Sequence, residues 1–162
     1  MAQIFESEHF IVESSEKPLV TRTDGGHIRI LPKIRLVDRQ QFTPRQAIEF
    51  MRLTMVVGEA MNLALNKHGI DIGRINYEDL GNWQVLAPEG PYFHYHLFGR
   101  AKRAKIQPYG EALAFPLRSR YPEFYEKNEP LTAKDVVRVK EEMKELFKKL
   151  SYSDKAWGLD RQ

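Results

Sequence analysis

The chain has 162 residues, 25 Lys and Arg against 22 Asp and Glu, and a formal charge of +3, the size of one compact domain. With 42% apolar and 11% aromatic residues it carries the material for a core, which argues against global disorder. The longest stretch without a charged residue, 90–99, is far shorter than the roughly 20 apolar residues of a membrane-spanning helix. The N-terminus lacks the basic and apolar regions of a signal peptide, so no membrane partner and a cytoplasmic location are expected. The absence of cysteine excludes disulfides, thiolate metal sites and a thiol nucleophile, and turns attention to five histidines. The mild positive charge suits an anionic small molecule or a nucleic acid without choosing between them.

His9 to Ser14 and Pro18 to Thr23 read as two strands of a hairpin around the polar Ser15-Glu16-Lys17 turn. Asp24-Gly25-Gly26 turns the chain into a third strand, His27 to Leu31, which Pro32 ends. Thr43-Pro44-Arg45-Gln46 combines an N-cap Thr, a Pro at the first helical position and a Gln at N3, predicting a helix to about Lys67. Its apolar residues, including Met51, Met55 and Met61, are expected in the core. Ile72 to Tyr77 reads as a fourth strand, Glu78 to Pro91 as a loop and Tyr92 to Phe98 as a fifth strand. Pro108 to Pro130 reads as extended, irregular chain, and Thr132 opens a last helix whose Val136, Val139, Met143, Leu146, Phe147 and Leu150 keep one apolar stripe.

The chemistry concentrates in Gly90-Pro91-Tyr92-Phe93-His94-Tyr95-His96-Leu97-Phe98-Gly99-Arg100. Alternation in a strand puts Tyr92, His94, His96 and Phe98 on one side, the two imidazoles about 7 Å apart along the strand. That spacing lets both approach one phosphate or one metal ion, and imidazole is the side chain able to act as nucleophile, acid or base near neutral pH. The pair alone also fits exposed histidines. A cupin-like metal site would need a Glu four or five residues later, and 100–104 contains no acid. A zinc site of His27, His94 and His96 stays open on geometry.

The histidine strand resembles the motif of the histidine triad (HIT) superfamily, alternating histidines and apolar residues, with Tyr92 standing where the first His of the motif falls. A second segment strengthens the resemblance: Gly26-His27-Ile28-Arg29-Ile30-Leu31-Pro32-Lys33 fits the family's His-bearing strand ending in Pro-Lys, with Arg29 as its odd member. The order of elements also agrees, and the resemblance spans roughly residues 5 to 105, leaving the tail outside it.

The resemblance implies an α+β fold: an antiparallel sheet of about five strands, a long helix across it and a C-terminal helix, in a single domain of residues 1–162 with its core at about 5–105. It implies a nucleotide phosphohydrolase or nucleotidyl transferase acting at the α-phosphate through a nucleotidyl-histidine intermediate, with no cofactor and no metal. His94 would be the nucleophile, His96 a phosphate contact, His27 the residue ordering the cluster and Tyr92 a tuning residue. Asn76 would approach phosphate or ribose. Asn82, Trp83 and Gln84 are the nearest replacements for the family's Gly-Gln-Ser/Thr segment, which is missing here. The basic run Arg100, Lys102, Arg103 and Lys105 is a candidate for the polyphosphate part of a substrate or for nucleic acid. A homodimer through the long helix is expected from Leu53, Met55, Val57 and Leu63, which lie off the stripe of Ile48, Met51 and Met61, with the Val136 to Leu150 stripe of the C-terminal helix as the rival cover for that second face. The alternative function is a weakly catalytic or non-catalytic nucleotide- or nucleic-acid-binding protein on the same scaffold.

Overall fold

Thr43 accepts a hydrogen bond from the Gln46 amide (3.2 Å) and donates its own amide to the Gln46 side chain (2.8 Å), and this capping box starts α1 (Pro44–Lys67). Thr132 and Asp135 build the same device for α3 (Ala133–Phe147). The structure is a computed structural model and describes residues 2–81, 85 and 88–160. Asn82, Trp83 and Gln84 therefore lie outside the described residues.

The strands are β1 (Ala2–Glu6), β2 (Phe10–Ser14), β3 (His27–Pro32), β4 (Ile72–Asp79) and β5 (Tyr95–Ala101). They form one antiparallel sheet in the order β1-β2-β3-β5-β4. Val12, Ile28, Ile30 and Leu97 are fully buried in one core with Phe50, Leu53, Val57 and Met61 of α1 and Val139, Met143 and Leu146 of α3. This is the α+β arrangement expected, with a long helix across the sheet and a C-terminal helix.

Several boundaries differ. The hairpin partner of β2 is β1, and Pro18 to Thr23 is a loop running into a short 3-10 turn at Arg22–Asp24. That loop is held by the tail: Asn128 donates to the Pro18 and Leu19 carbonyls, and Glu129 pairs with Thr21 and Arg22. β5 begins at Tyr95, so Tyr92 to His94 is extended chain leading into the strand. In α1, Ile48, Met51, Met55 and Leu63 are exposed while Leu53 and Val57 are buried, so the two apolar sets divide differently from the stripes read from spacing. Leu150 lies past α3 and is exposed.

The chain after β5 crosses the sheet face opposite α1. The buried Asp24 carboxylate accepts the amides of Lys105, Ile106 and Gln107 at 2.7 to 2.9 Å, and Arg100 donates to the Pro108 and Glu111 carbonyls. Within the tail lies only the short α2 (Glu123–Glu126). Asp135 then joins the two ends, accepting from Arg22 at 2.6 Å, from Thr132 and, at 2.8 Å, bonding His68 at the end of α1. Burial alone would raise the Asp135 carboxyl, but these bonds hold it well below the usual range. Gly25, at φ +132, and Gly99 press backbone against backbone, and a Cβ on either would lie within 2.2 Å of the other's carbonyl oxygen. That contact seats the start of β3 directly against β5.

Candidate functional site

The register of β3 on β5 sets His27 opposite Phe98 and Arg29 opposite His96, and β4 adds Asn76 beside Phe98 and Glu78 beside His96. Residues directly opposite share a face, so the face turned away from α1 carries His27, Arg29, Asn76, Glu78, His96 and Phe98. The extended 92–94 segment, tied by the Phe93 amide to the Leu36 carbonyl (2.7 Å), continues the alternation. A row of rings results: Tyr92 stacks on His94 at 4.6 Å, His94 meets His96 edge-on at 4.7 Å and His96 stacks on His27 at 5.0 Å. The four expected catalytic side chains are thereby brought together.

Hydrogen bonding orders the protons along this row. Nδ1 of His27 accepts the Leu19 amide (3.2 Å), so His27 carries its proton on Nε2 and donates it to Nδ1 of His96 at 2.8 Å. His96 then holds its proton on Nε2, which is buried without a hydrogen-bond partner among the described residues. Nδ1 of His94 donates to the Tyr92 carbonyl at 3.0 Å, leaving the Nε2 lone pair unused. Both free positions carry opposite chemistry, a donor on His96 and a nucleophilic lone pair on His94.

The three imidazoles are buried, at 3%, 6% and 3% exposure for His27, His94 and His96, and burial favours their neutral forms. Desolvation, with His94 and Arg29 nearby, brings His96 down to about 3. Desolvation and the His96 ring hold His27 well below the ordinary value. His94 is lowered mainly by desolvation, against the Tyr92 carbonyl, which works the other way. A metal held by all three rings does not fit this bonding, since both nitrogens of His27 are engaged. Among the described residues the donor atoms of Glu8, His9 and Glu49 lie within 4.8 Å of one another, but Nδ1 of His9 is bonded to Glu49.

A cavity of about 690 Å³ opens at the His27 end of the row. His27, Arg29 and His96 form its floor, Ser15 and Leu19 one side, and Phe115, Pro116, Leu117, Arg118 and Tyr125 of the tail the other. The tail wall is braced by the Tyr125 hydroxyl on the Pro116 carbonyl (2.6 Å), by Arg118 over the Tyr125 ring (4.4 Å) and by Phe115 against Phe98 (5.1 Å). Arg29 is paired with Glu13 across the strands.

Not every expected residue joins the site. Arg100 is buried and spends its guanidinium on tail carbonyls, so it is a clamp for the tail rather than a phosphate ligand. Lys102 lies six residues beyond His96, about 20 Å along the strand direction, and it and Arg103 face Asp71 at 3.8 and 3.4 Å. The basic run is thus set apart from the histidines. Sequence reasoning missed Glu78, the Leu19 amide, the tail wall and Arg35. The only advance signal was Arg29, a charge in an otherwise apolar strand.

No protein-family model matches the chain, and no curated protein does. Solved structures do. It superposes on a hypothetical histidine triad nucleotide-binding protein from Sulfolobus tokodaii with a TM-score of 0.57 and 14% identity, over 91% of this chain and 87% of that one. A zinc-bound histidine triad family protein from Mycobacterium smegmatis gives 0.55 and 17%, over 89% and 84%. A HIT-like protein involved in cell-cycle regulation from Bartonella henselae gives 0.54 and 12%, over 87% and 85%. At such identities the likeness establishes the fold, which is that of the histidine triad superfamily.

Proposed function

From the premise of a histidine triad fold, we propose that this protein is a nucleotide phosphohydrolase or nucleotidyl transferase acting at an α-phosphate. The observation that carries the reading is the ordered proton chain Leu19, His27, His96, together with the His94 bond to the Tyr92 carbonyl. It pairs a free imidazole lone pair with a free N–H donor on adjacent rings, the combination an in-line displacement at phosphorus requires.

The nucleoside lies in the cavity at the His27 end, against Phe115 and Tyr125. Nε2 of His94 attacks the α-phosphorus while the bond to the leaving group breaks and its electron pair departs with that group. The imidazole then carries positive charge, which its Nδ1–H spreads to the Tyr92 carbonyl. Nε2–H of His96 donates to a non-bridging oxygen, where negative charge accumulates. Water or another acceptor attacks next, the N–P bond breaks, and neutral His94 is restored with a proton released. Asn76, on the same face, contacts phosphate or ribose. The reaction uses no cofactor.

The second reading, a nucleotide- or nucleic-acid-binding protein without efficient turnover, draws on Tyr92, whose phenol does not share a proton near neutral pH as imidazole does. Incubating the purified chain with adenosine dinucleotide polyphosphates and aminoacyl phosphoramidates, with AMP release as readout, decides between them. Turnover supports the enzyme; binding without release supports the second reading.

The proposed assembly is a homodimer, across the exposed Ile48, Met51, Met55 and Leu63 of α1 and Tyr77 of the edge strand β4. Among the described residues no helix is long and apolar enough to cross a membrane, and the cytoplasm is the proposed location. Sedimentation as a monomer at micromolar concentration would overturn the dimer.

A further inference from the structure

Arg35 stands at the end of the ring row farthest from the cavity. Its guanidinium lies 5.0 Å from the centroid of the Tyr92 ring, and that ring is the one stacked on His94. Its Nη2 donates to the carbonyls of Glu89, Gly90 and Pro91 at 2.5, 2.8 and 3.4 Å. No carboxylate among the described residues pairs with it. Carbonyls fix the position of a guanidinium without cancelling its charge, unlike Arg22, Arg45 and Arg52, which sit on Asp135, Glu8 and Asp154. The remaining N–H groups of the fork are therefore set against Tyr92, one ring removed from His94, with a full positive charge behind them.

Resting on the reading of His94 as the nucleophile, we propose that Arg35 is a specificity-determining residue that binds the anionic leaving-group side of the substrate, selecting nucleoside 5′-polyphosphates and dinucleoside polyphosphates over phosphoramidates with neutral leaving groups. With the nucleoside in the cavity at the His27 end and the α-phosphorus at His94, the other substituent on phosphorus lies toward Tyr92 and Arg35. A polyphosphate there meets an uncompensated cation, and its departing chain gains negative charge as the bond breaks. An amine leaving group gains no such attraction.

The test compares kcat/KM for diadenosine tetraphosphate with that for adenosine 5′-phosphoramidate in the wild-type chain and in Arg35→Gln. The ratio of polyphosphate to phosphoramidate is expected to fall at least about 10-fold in the variant, the scale of losing one charge-assisted contact. In the wild-type chain it is expected to fall as ionic strength rises, because an exposed guanidinium is screened. A ratio unchanged by the substitution overturns the proposal, and this includes an equal fall on both substrates, the result of merely loosening 89–91. If the variant does not fold, the salt series on the wild-type chain decides, and a salt-independent ratio overturns it. If neither substrate releases AMP, the hydrolase reading fails separately. Equilibrium binding of AMP and ATP then settles Arg35: tighter ATP binding lost in Arg35→Gln supports its role, and equal binding of both overturns it.

Discussion

On β5, Tyr95 and Leu97 turn toward α1 and are covered by an apolar core, whereas His96, Phe98 and Arg100 turn the other way and are covered by a tail with little regular structure. On the helix side each fully buried side chain such as Ile28, Ile30 or Leu97 contributes roughly 1.5 to 3 kcal/mol through the water it leaves. On the tail side the same degree of burial falls on imidazoles, a carboxylate and a guanidinium, and burying such groups costs free energy unless each is bonded. His27, Asp24 and Arg100 are bonded in this way. Nε2 of His96 and Nε of Arg100 have no such partner among the described residues. One face of the sheet stabilises the protein, and the other buries imidazoles and charged groups at some cost to stability.

The largest expected effect is on chemistry alone. His94→Asn keeps the size and part of the bonding of the side chain but removes the proposed nucleophile, so AMP release is expected to fall at least about 10³-fold with the melting temperature little changed. Turnover at the wild-type level would refute the division between the two faces. Asp24→Ala reverses the signature. It strips the acceptor from three amides that hold the tail and is expected to destabilise by about 3 kcal/mol or more, raising KM before it lowers kcat because the cavity wall loosens. Chemical denaturation followed by intrinsic fluorescence measures the first part and steady-state kinetics the second.

The His27–His96 bond provides a sharper comparison. His27→Leu leaves Nδ1 of His96 and the Leu19 amide unmatched and is expected to cost about 1 to 3 kcal/mol. Changing both histidines to Leu is expected to recover much of that stability while leaving the protein inactive. A double variant less stable than the single one by calorimetry would show that the pair stabilises the fold.

Acid should separate the faces as well. As the proposed nucleophile His94 acts only when neutral, and its pKa is lowered by burial, so the acid limb of kcat/KM is expected below pH 6.5, with a plateau above it; a midpoint above 6.5 would contradict a buried nucleophile. The unfolded chain takes up protons at these histidines near pH 6.5, whereas folded His96 does so at about 3. The unfolded state thus binds more protons between these values, and stability is lost as pH falls through that window. The smallest expected change is Tyr92→His, which keeps a ring stacked beside His94 and should alter turnover by no more than a few-fold, upward if anything. A collapse of activity in a folded protein would assign the phenol a chemical task of its own.

What was legible in the sequence follows the same division. The capping box at Thr43, the helix start at Thr132 and the alternation through His94 and His96 are local signals, and the structure places them as read. Pro18 to Thr23 has the β-branched content of a strand, but its polar groups are taken by Asn128 and Glu129 of the tail, a contact more than one hundred residues away in the chain. The basic run looked like a phosphate site because charge is visible in sequence and its partners are not. Arg100 is spent on Pro108 and Glu111, and Lys102 and Arg103 face Asp71. Arg35 was invisible for the converse reason, since only folding removes a carboxylate from its reach and sets it on Tyr92.

In the proposed mechanism His94 becomes covalently nucleotidylated. Rapid quenching of the wild-type chain during turnover of a dinucleotide polyphosphate, followed by peptide mass spectrometry under non-acidic conditions, is expected to find one nucleotidyl group on His94 that chases into AMP at the turnover rate and is absent from His94→Asn. Turnover without any such adduct, or an adduct on another residue that persists in His94→Asn, would contradict the account.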